Sequence, residues 1–565
     1  MHVLGISCFY HDAAAALVSD GKLIAAAEEE RFSRRKHDSE WPGNAIAYCL
    51  REAGLGIEQV DHVVFYEKPL VKFQRILECY ASTWPRSYFA FSRALPLWLR
   101  ERLWLKDLIQ KKLGVQREIL FVEHHMSHAA GAFLVSPFEE ATILTMDGVG
   151  EWATTTVGTG KGSSIHLSRE IRFPHSLGLY YSAITAYLGF EVNDAEWKVM
   201  GLAPYGQLTQ VENCRRLIQT RPDGSFALNM EYFAHHYSAR RMFNGRFERL
   251  FRQPARRPET ELTGFHQDVA RSGQHVFEEV AVNLARAAHQ MHPSDNLCLA
   301  GGCALNTVAN WKIMEQTPFK RLFVQPAAGD SGGAVGAAFY IYNTVLGHPR
   351  EFVLDNVYLG PSFDEQALQA AIKAAGPRVR AETLSPSELA PRMAALLRDN
   401  NVIGWFQGRM EFGPRALGNR SILANPMNPE MKQIVNSKIK FREYFRPFAP
   451  AVLRERADEF FDMHGLDSPF MLLVPPVKPD KRAVIPAVTH ADGTGRVQTV
   501  TRESNERFYE VIRAFGELTG VPVLLNTSFN VRGEPIVCTP EDAVNCLLKT
   551  GLDYLVLGNM LVHKS

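Results

Sequence analysis

The chain of 565 residues has no excess of either charge and no long apolar run. Its formal net charge of +1 argues against bulk binding to nucleic acid or to an anionic membrane, although a local basic pocket is compatible with it. No run of about 18 uncharged apolar residues occurs, so we expect no segment that spans a membrane. The N-terminus lacks a basic segment followed by an apolar one, so we expect no signal peptide.

Paired cysteines and tracts of biased composition are also missing. The eight cysteines are scattered, without a Cys-x-x-Cys pair, which is typical of reduced core thiols in a cytoplasmic protein. With 46% hydrophobic and 22% charged residues, the composition is that of an ordinary globular protein. A chain of this length exceeds a single hydrophobic core, so we predict two or more domains.

Two histidines four residues apart follow a short predicted strand. The small residues after them indicate a helix, on which His124 and His128 share one face and can bind a single metal ion. Two later strand ends deliver Asp147 and Asp330. Two imidazoles and two carboxylates suit a divalent ion such as iron, manganese or zinc. The alternative is that each histidine is a satisfied residue at a helix start, but four candidates at strand–turn junctions favour a metal site.

A strand, a polar loop and a hairpin occur twice in the first half of the chain. The predicted strands lie at 2–9, 14–18 and 22–27, and again at 142–146, 153–158 and 164–167. The repeat predicts a duplicated α/β core with a cleft between its halves. With acidic residues at the strand ends, this arrangement resembles the actin-like ATPase superfamily. A chance pairing of two hairpins is the alternative.

Glycine-rich turns indicate a nucleotide site in the same half. Gly301-Gly302 lies between a strand and a helix, where backbone N–H groups can approach a nucleotide. Gly332-Gly333, just after Asp330, repeats the arrangement and favours nucleotide binding over packing. Lys198, in a glycine-punctuated stretch, is placed to contact a phosphate or to lie near the metal.

Three further segments flank this predicted cleft. The charge run at 28–37 is usually a solvated face, but its position after the third strand makes it a candidate wall of the cleft. The aromatic and basic residues of 72–112 are expected to pack against the main body rather than on a membrane. The arginine-rich stretch 207–260 is interpreted as a surface insertion that caps the cleft.

Basic residues are concentrated in two stretches of the second half. Arg409, Arg415 and Arg420 follow a predicted strand at 402–406, and 436–446 adds further lysines and arginines. Glycine and aromatic residues separate them, which does not match a helix face. Arginine presents a fork of donors to phosphate oxygens, so we predict an anion pocket. One concentrated cluster in a near-neutral chain favours a small phosphorylated ligand over RNA or a solvated surface.

These motifs resemble the O-carbamoyltransferases of antibiotic and nodulation-factor biosynthesis, the family of nodulation protein U and cephalosporin carbamoyltransferase. The resemblance runs essentially end to end, with no motif missing. The N-terminal motifs are Phe-Tyr-His11-Asp12-Ala-Ala, Ala-Glu-Glu-Glu-Arg-Phe at 27–32, His124-His-Met-Ser-His128, Met-Asp147-Gly, Glu196-Trp-Lys-Val-Met-Gly, Gly-Gly-Cys-Ala-Leu-Asn306 and Gly-Asp330-Ser-Gly-Gly. The C-terminal motifs are Phe-Gly-Pro-Arg415-Ala-Leu-Gly, Phe-Arg446-Pro-Phe and Asn526-Thr-Ser-Phe-Asn530.

The resemblance implies an α/β protein of two domains. Residues 1–350 would form a duplicated actin-like ATPase domain, similar to the metal- and nucleotide-binding enzymes that make tRNA threonylcarbamoyladenosine. Residues 351–565 would form an α/β domain similar to their YrdC-like partner. Carbamoyl phosphate and ATP would give carbamoyl adenylate and pyrophosphate in the second domain. A hydroxyl of a small natural product or sugar would then take the carbamoyl group in the first domain, releasing AMP.

The resemblance also assigns roles to individual residues. His124, His128, Asp147 and Asp330 would hold a divalent metal, iron first, with manganese, zinc or magnesium as alternatives. His11 would be the general base on the acceptor hydroxyl, its alternative role being to cap the hairpin. The residues expected to bind nucleotide in the first domain are Asp12, Lys198, Gly201, Gly301, Gly302 and Asn306. Those expected to bind carbamoyl phosphate and ATP in the second domain are Arg415, Lys440, Arg446, Arg496, Asn526, Thr527, Ser528 and Asn530.

Two other functions stay open. A threonylcarbamoyl or N-carbamoyl transferase acting on nucleic acid would need an extended basic face, and the balanced charge speaks against one. An actin-like nucleotide switch without enzymatic activity would leave the histidine pair and the anion pocket without a use. We expect small-molecule partners and neither nucleic acid nor membrane. The acceptor and the oligomeric state stay open, a homodimer being one alternative.

Overall fold

The computed structural model describes residues 1–565 and divides into two compact units. Unit 1 comprises Met1–Ala26 and Ser39–Leu354, and unit 2 comprises Ala27–Asp38 and Asp355–Ser565. Both units combine helices and sheets, so the predicted α/β class is confirmed. None of the helices combines the length and the apolar character that a membrane crossing requires.

Unit 1 contains two five-stranded sheets. The first consists of β1 (His2–Ser7), β2 (Ala14–Ser19), β3 (Lys22–Glu28), β4 (His62–Phe65) and β5 (Ile119–Phe121), in the order β3-β2-β1-β4-β5. The strands that follow are β6 (Glu140–Met146), β7 (Ala153–Lys161), β8 (Ser164–Arg172), the short ribbon β9 (Ile218–Thr220) and β10 (Phe226–Leu228), β11 (Asn296–Ala300) and β12 (Arg321–Val324). The second sheet has the order β12-β11-β6-β7-β8.

The two sheets have the same topology. In each, the first strand pairs antiparallel with the second and parallel with the fourth, which pairs parallel with the fifth. The duplicated core predicted from the repeated hairpin is therefore confirmed. The parallel strands are almost wholly buried, as expected where helices cover both faces of a sheet.

Helices cover these sheets and form the two insertions. In chain order they are α1 (Glu30–Ser33, in unit 2), α2 (Gly43–Ala53), α3 (Pro69–Ser82), α4 (Tyr88–Arg100), α5 (Leu105–Leu113), α6 (His124–Phe133), α7 (Leu177–Tyr187), α8 (Glu196–Leu202), α9 (Val211–Arg215), α10 (Gly245–Phe251), α11 (Gly264–Met291), α12 (Thr307–Gln316) and α13 (Asp330–Phe339). Helices α3 to α5 carry the aromatic insertion, and α9 and α10 lie in the 207–260 insertion.

The glycines that follow Asp330 serve packing, which corrects the interpretation of Gly332-Gly333 as a second nucleotide turn. Both lie inside α13. A Cβ at Gly332 would lie 2.2 Å from the carbonyl oxygen of Ala327, and one at Gly333 would lie 2.7 Å from the ring of Tyr66. The absence of side chains there lets α13 approach its neighbours, so the repeated Gly-Gly pair reflects close packing.

Unit 2 is built on one eight-stranded sheet. Its strands are β13 (Val379–Thr383), β14 (Ile403–Phe406), β15 (Arg420–Ala424), β16 (Ala449–Leu453), β17 (Gln498–Val500), β18 (Val523–Ser528), β19 (Tyr554–Leu557) and β20 (Met560–Lys564). Their order is β13-β20-β19-β14-β15-β18-β16-β17. The strand predicted at 521–525 runs on to Ser528, so Asn526 and Thr527 are strand residues.

Helices cover both faces of this sheet. They are α14 (Glu365–Ala375), α15 (Pro386–Arg398), α16 (Met431–Val435), α17 (Ala457–Phe460), α18 (Glu506–Thr519) and α19 (Pro540–Lys549). Side chains alternate along a strand, so Leu524 joins the apolar cluster with α15 and α18, whereas Val523 and Leu525 join the cluster with α14 and α19. Each face of the sheet therefore has its own core.

A short segment near the N-terminus belongs to unit 2. The Arg31 guanidinium is buried, pairs with Glu28 at 2.5 Å, and donates to the carbonyl oxygen of Gly413 at 2.7 Å. Phe32 packs against a small apolar cluster that includes Met410 and Ile536. The charge run predicted to be a cleft wall therefore forms an integral part of unit 2.

Candidate functional site

Four predicted ligands meet in unit 1. His124 and His128 lie on the first turns of α6, Asp147 directly follows β6, and Asp330 begins α13. All four side chains are buried, and one possible ligand atom from each lies within 4.8 Å of the others. The four side chains converge because β6 packs against α6, and α6 packs against α13.

The distances between these atoms fit one bound cation. The Nε2 atoms of His124 and His128 are 3.0 Å apart, and Asp147 Oδ2 is 3.1 Å from the first and 3.9 Å from the second. Asp330 Oδ1 lies 3.7 and 3.8 Å from the same two nitrogens. Two ligand atoms each about 2.1 Å from an ion stand roughly 3.0 to 3.4 Å apart at right-angled or tetrahedral positions. The donor set therefore fits a divalent metal.

The pKa shifts within the cluster also favour a bound cation. Burial lowers the pKa of His124, but the carboxylates of Asp330 and Asp147 outweigh it and raise that pKa to about 9. Burial opposes ionisation of Asp147, yet hydrogen bonds to the two histidines hold its pKa well below the ordinary value. Burial raises the pKa of Asp330, and the charge of Asp147 adds to this. Two buried carboxylates so close together are stabilised by a cation.

Further residues orient these ligands, and the sequence analysis missed them. The Tyr66 hydroxyl donates to Asp330 Oδ2 at 3.2 Å, and the backbone N–H of Gly302 donates to Asp147 Oδ1 at 2.8 Å. Glu151 accepts from the backbone N–H of His124 at 3.0 Å. Such outer partners fix ligand orientation in metal sites. Glu151 could have been predicted from the sequence, because it stands four residues after Asp147 in the same motif.

His11 lies beside the cluster with both ring nitrogens engaged. Nδ1 is 2.7 Å from Asp12 Oδ2, and Nε2 is 2.5 Å from the carbonyl oxygen of Asn193. A carbonyl oxygen can only accept, so Nε2 donates to it. Glu196 accepts from the backbone N–H of Asn193 at 2.9 Å and so holds this loop in place. Nε2 can act as a base only when the Asn193 contact opens and Nε2 has lost its own proton.

The predicted nucleotide residues of unit 1 are only partly brought together. Gly301 adopts φ +88°, and a Cβ there would meet the Met146 carbonyl oxygen at 2.2 Å, so the turn requires glycine. Its neighbour Gly302 faces the metal cluster through Asp147. Asn306 instead caps α12 and pairs its amide with that of Gln274 at 3.0 Å. Gly201 is buried within α8, and Lys198 lies 5.5 Å from the ring centre of Phe190.

Unit 2 collects positive charges that have no anionic partner. Arg415, in the loop between β14 and β15, and Arg496, just before β17, make no hydrogen bond and no ion pair, and the Nε of each is buried. Burial lowers the pKa of Arg415 to about 10. Burial, followed by the charges of Arg415 and Arg446, lowers the pKa of Arg496 well below the ordinary value. Both residues stay half-buried, as expected of side chains that line a pocket.

Lys440 is held by short polar residues of the predicted set. Its Nζ donates to Asn530 Oδ1 at 2.7 Å, to the Asn530 carbonyl at 3.0 Å, and to both the carbonyl and the hydroxyl of Ser528. All of these acceptors are neutral. Burial, with the charges of Arg442 and Arg446, lowers the pKa of Lys440 well below the ordinary value. Lys440 therefore adds positive charge and also orders the end of β18.

The remaining predicted residues of unit 2 differ in exposure. Asn526 is fully buried, and its Nδ2 donates to Gln498 Oε1 at 2.8 Å and to the carbonyl of Ala416, next to Arg415. Thr527 and Ser528 are half-buried at the end of β18. Arg446 lies 3.5 Å from Glu443. Asn526 thus supports the loop of Arg415 from the interior.

The arginines of the glycine-rich motif have different contacts in the structure. Arg420 is fully buried, and its guanidinium donates to the carbonyls of Pro361 and Asn419 at 3.0 Å, so it holds the backbone. Arg409 likewise donates to the Leu359 carbonyl at 2.7 Å. Arg442, outside the predicted ligand set, joins the pocket, and the charges of Arg446 and Arg496 add to burial in lowering its pKa. Spacing alone did not distinguish these roles.

Comparison with known protein families agrees with this arrangement. The family model described as Carbamoyltransferase N-terminus matches residues 2–339, and the one described as Carbamoyltransferase C-terminus matches residues 394–564. The chain belongs to the carbamoyltransferase family. The family predicted from the motifs is thereby confirmed, as is the prediction that the chain is an enzyme.

Relatives of this carbamoyltransferase cover nearly its whole length. An uncharacterized protein of Synechocystis, sll1178, is 47% identical over 100% of this chain and 97% of its own length. Nodulation protein NolNO of Sinorhizobium fredii is 39% identical over 98% of this chain and 79% of its own. Nodulation protein U of the same species is 32% identical over 97% of this chain and 96% of its own.

Solved structures match the carbamoyltransferase chain only weakly. A ROK hexokinase from Thermus thermophilus has a TM-score of 0.31 at 14% identity, covering 62% of this chain and 100% of its own. HypF of T. kodakarensis has a TM-score of 0.29 at 15% identity, covering 60% of this chain and 47% of its own. Likeness at this level supports no conclusion about function.

Proposed function

We propose that this chain is an ATP-dependent O-carbamoyltransferase that works in two steps. In the first, water cleaves carbamoyl phosphate to carbamate and phosphate. A carbamate oxygen then attacks the α-phosphorus of ATP, which breaks the α–β bond and yields carbamoyl adenylate and pyrophosphate. In the second, an acceptor hydroxyl attacks the carbamoyl carbon, which releases AMP and one proton. We assign the first step to unit 2 and the second to unit 1.

One observation carries this proposal: Arg415 and Arg496 are half-buried arginines, each with a buried Nε, and neither has an anionic partner. Enclosing a cation without an anion costs free energy, and a triphosphate and an acyl phosphate supply the missing charge. An actin-like nucleotide switch would have no use for a second cationic pocket of this kind.

The residues of unit 2 have separate tasks in the first step. The guanidinium groups of Arg415 and Arg496 neutralise phosphate oxygens and stabilise the charge that moves onto pyrophosphate. Lys440 orders Ser528 and Asn530, to which we assign the binding of the carbamoyl amide. The acyl phosphate bond of carbamoyl phosphate favours its cleavage to carbamate, and ATP then activates the carbamate, so positioning and charge screening are the main tasks of these residues.

In unit 1, the four residues of the cluster would hold a divalent ion. Through His124, His128, Asp147 and Asp330, a bound divalent ion would supply Lewis-acid stabilisation of the departing AMP. We assign iron first, with manganese, zinc and magnesium as alternatives. His11 takes the proton of the acceptor hydroxyl at Nε2 after the Asn193 contact has opened and Nε2 has given up its own proton to water, and Asp12 holds the ring by Nδ1. We assign Asp12, Lys198, Gly301 and Gly302 to the nucleotide side of this proposed site, whereas Gly201 and Asn306 support it from within α8 and at the start of α12.

The acceptor class and the location complete the proposal. We propose a small hydroxylated natural product or sugar as acceptor, in keeping with a net charge of +1, which gives nucleic acid no extended basic face. All eight cysteines are free thiols, which is typical of a reducing compartment, so we place the reaction in the cytoplasm.

The proposal is tested by product analysis on the full-length protein. Incubation with ATP and carbamoyl phosphate should release pyrophosphate and phosphate, and AMP should follow when a hydroxylated acceptor from a metabolite panel is added. Arg496→Gln should lower pyrophosphate release at least tenfold. The matched control is Arg502→Gln, a half-exposed arginine that pairs with Glu506 and Glu510. ADP as the product of ATP, with or without carbamoyl phosphate, would contradict the proposal.

A further inference from the structure

Helix α3 buries two cations. Its buried residues are Lys72 and Arg75, with relative exposures of 6% and 7%, whereas Leu70 of the same helix is 68% exposed. The two cations stand three residues apart and so share one face of the helix. Buried lysines and arginines are rare unless they are paired, so each of the two needs a partner.

Only Lys72 has such a partner. Its Nζ donates to Glu67 Oε2 at 2.6 Å and lies 4.6 Å from the centre of the Tyr10 ring. Arg75 makes no hydrogen bond and no ion pair from any guanidinium nitrogen, and its Nε is buried without an acceptor. Two neighbouring cations on one helix face thus differ in that one lacks a counter-charge.

The acidic residues near Arg75 are bound to other groups. Glu67 accepts from Lys72, and Glu151 accepts from the backbone N–H groups of Lys68 and His124. Burial lowers the pKa of Arg75, and the negative charges of Glu67 and Glu151 offset this only in part. The protein itself therefore does not neutralise this guanidinium.

Arg75 lies between the metal cluster and the 207–260 insertion. On one side is Tyr10, which is 40% exposed although surrounding protein and the carboxylates of Asp330 and Asp147 raise its pKa. On the other side, the Arg75 guanidinium carbon lies 5.0 Å from the ring centre of Phe173, which packs edge-on against His235 at 5.7 Å.

We propose that Arg75 is an oxyanion-binding residue, which takes a phosphate or carboxylate group of the molecule that enters the cleft of unit 1. A guanidinium binds two oxygens of such a group through its planar fork, and the Phe173 ring stabilises the cation. The oxyanion belongs either to the phosphate of the adenylate or to the acceptor. Assigning the oxyanion to one of these two sources rests on the proposed function. The oxyanion site itself does not, because it is inferred from the contacts of Arg75.

The test measures binding to the full-length protein after the pocket of unit 2 has been neutralised by Arg415→Gln with Arg496→Gln. AMP, inorganic phosphate and acetate are titrated by calorimetry. Adding Arg75→Gln should weaken at least one probe tenfold or more. Arg75→Lys, which keeps the charge without the fork, should recover part of the affinity. The matched control is Arg86→Gln, an exposed arginine in the same insertion, whose guanidinium carbon is 6.0 Å from the Tyr237 ring centre.

The probes distinguish the two sources. Arg75-dependent binding that is much tighter for AMP than for inorganic phosphate assigns the oxyanion to the adenylate. Arg75-dependent binding of phosphate or acetate without a gain for AMP assigns it to the acceptor. Binding of all three probes that is independent of Arg75 overturns the proposal. If Arg75-dependent binding persists while carbamoyl phosphate fails to promote pyrophosphate release by the wild-type protein, with Arg415 and Arg496 intact, the proposed function fails and the site remains.

Thermal stability provides a readout that is independent of probe affinity. An unpaired buried cation destabilises a fold, so Arg75→Met should raise the Tm, and inorganic phosphate should raise the Tm of the Arg75 protein more than that of the Met variant. A lower Tm for Arg75→Met, with no change in the phosphate effect, would show that Arg75 serves packing and would overturn the proposal.

Discussion

His124 and His128 approach each other within 3.0 Å at their Nε2 atoms, although both rings are buried. Two neutral imidazoles could share one proton there, but the carboxylates of Asp147 and Asp330 face the same point. The arrangement has the composition of a ligand set rather than of a core hydrogen-bond network. Metal binding requires deprotonated imidazoles, so the four residues act as one unit.

Replacing His128 by alanine should separate the two proposed steps. Losing one of four ligands should reduce bound metal at least tenfold and abolish carbamoyl transfer, while pyrophosphate release, assigned to unit 2, persists. Metal content is measured by elemental analysis of the purified protein. The matched control is His125→Asn on the same helix, since His125 bonds to Thr145 at 2.7 Å instead of joining the cluster. Unchanged metal in His128→Ala would refute the ligand assignment.

His235 should make the fold sensitive to acid. Burial lowers the pKa of His235 to about 4, below the ordinary value near 6.5, although a hydrogen bond to the Pro174 carbonyl opposes this. The unfolded chain therefore takes up the proton first, and this stability is present above pH 6.5 and lost as the pH falls towards 4. When the pH is lowered from 7 to 5, the unfolding free energy of the wild type should fall by up to about 2 kcal/mol more than that of His235→Asn. Urea titrations at the two pH values measure this difference. Equal losses would contradict the prediction.

At the residue scale, the sequence motifs predicted which four side chains converge in unit 1 but did not distinguish the roles of the arginines in unit 2. His124, His128, Asp147 and Asp330 stand at strand and helix ends, where topology forces convergence. The arginines of unit 2 could not be sorted in the same way, because Arg420 donates to backbone carbonyls whereas Arg415 makes no hydrogen bond. That distinction depends on which carbonyl oxygens lie nearby, and these are set by loops distant in sequence.

Helices α6 and α13 pack at very short range, and this contact positions three of the four metal ligands. A Cβ at Gly336 would lie 1.8 Å from the carbonyl oxygen of Ser127, so neither helix can tolerate a side chain there. The glycines of α13 are therefore a structural requirement of the cluster.

Gly336→Ala should force the two helices apart. We expect the unfolding free energy to fall by more than about 3 kcal/mol and metal affinity to fall with it. Gly329→Ala is the matched control, because nothing lies within 4 Å of a Cβ at Gly329 and its φ of −73° suits any residue. Urea unfolding and metal titration measure both effects, and equal behaviour of the two variants would contradict this account of the packing.

At the element scale, the sequence pattern identified most of the N-terminal fold. The repeated hairpin predicted the duplicated sheets, because alternation, turn glycines and strand-end acids occur at matching positions in both copies. The aromatic insertion was less informative, since α3 buries Lys72 and Arg75 rather than its apolar residues. Hydrophobic periodicity cannot predict the buried face of a helix when that face carries charged residues.

The whole molecule consists of two units, and a short stretch of unit 2 interrupts the sequence of unit 1. The sequence was divided at residue 350, whereas unit 2 also includes Ala27–Asp38. No compositional change marks this segment, because its charge run looks like a solvated face. Only the tertiary contacts of Arg31 and Phe32 reveal that it belongs to unit 2.

A substitution near the N-terminus should therefore weaken unit 2. Arg31→Ala removes the buried ion pair with Glu28 and the donor to the Gly413 carbonyl, two residues before Arg415. We expect a loss of about 3–5 kcal/mol in unit 2 and weaker pyrophosphate release. Hydrogen exchange over residues 410–416 measures the local effect. The control is Arg35→Ala, whose side chain is 66% exposed. Unchanged protection of 410–416 in Arg31→Ala would contradict the role of this segment.

The central claim is that the cationic pocket of unit 2 makes an acyl adenylate from ATP. The most direct measurement is the exchange of labelled pyrophosphate into ATP by the full-length protein. The account predicts exchange that requires carbamoyl phosphate, persists in His128→Ala and is lost in Arg496→Gln. Exchange that ignores carbamoyl phosphate, or none at all while ATP is converted to ADP, would contradict it.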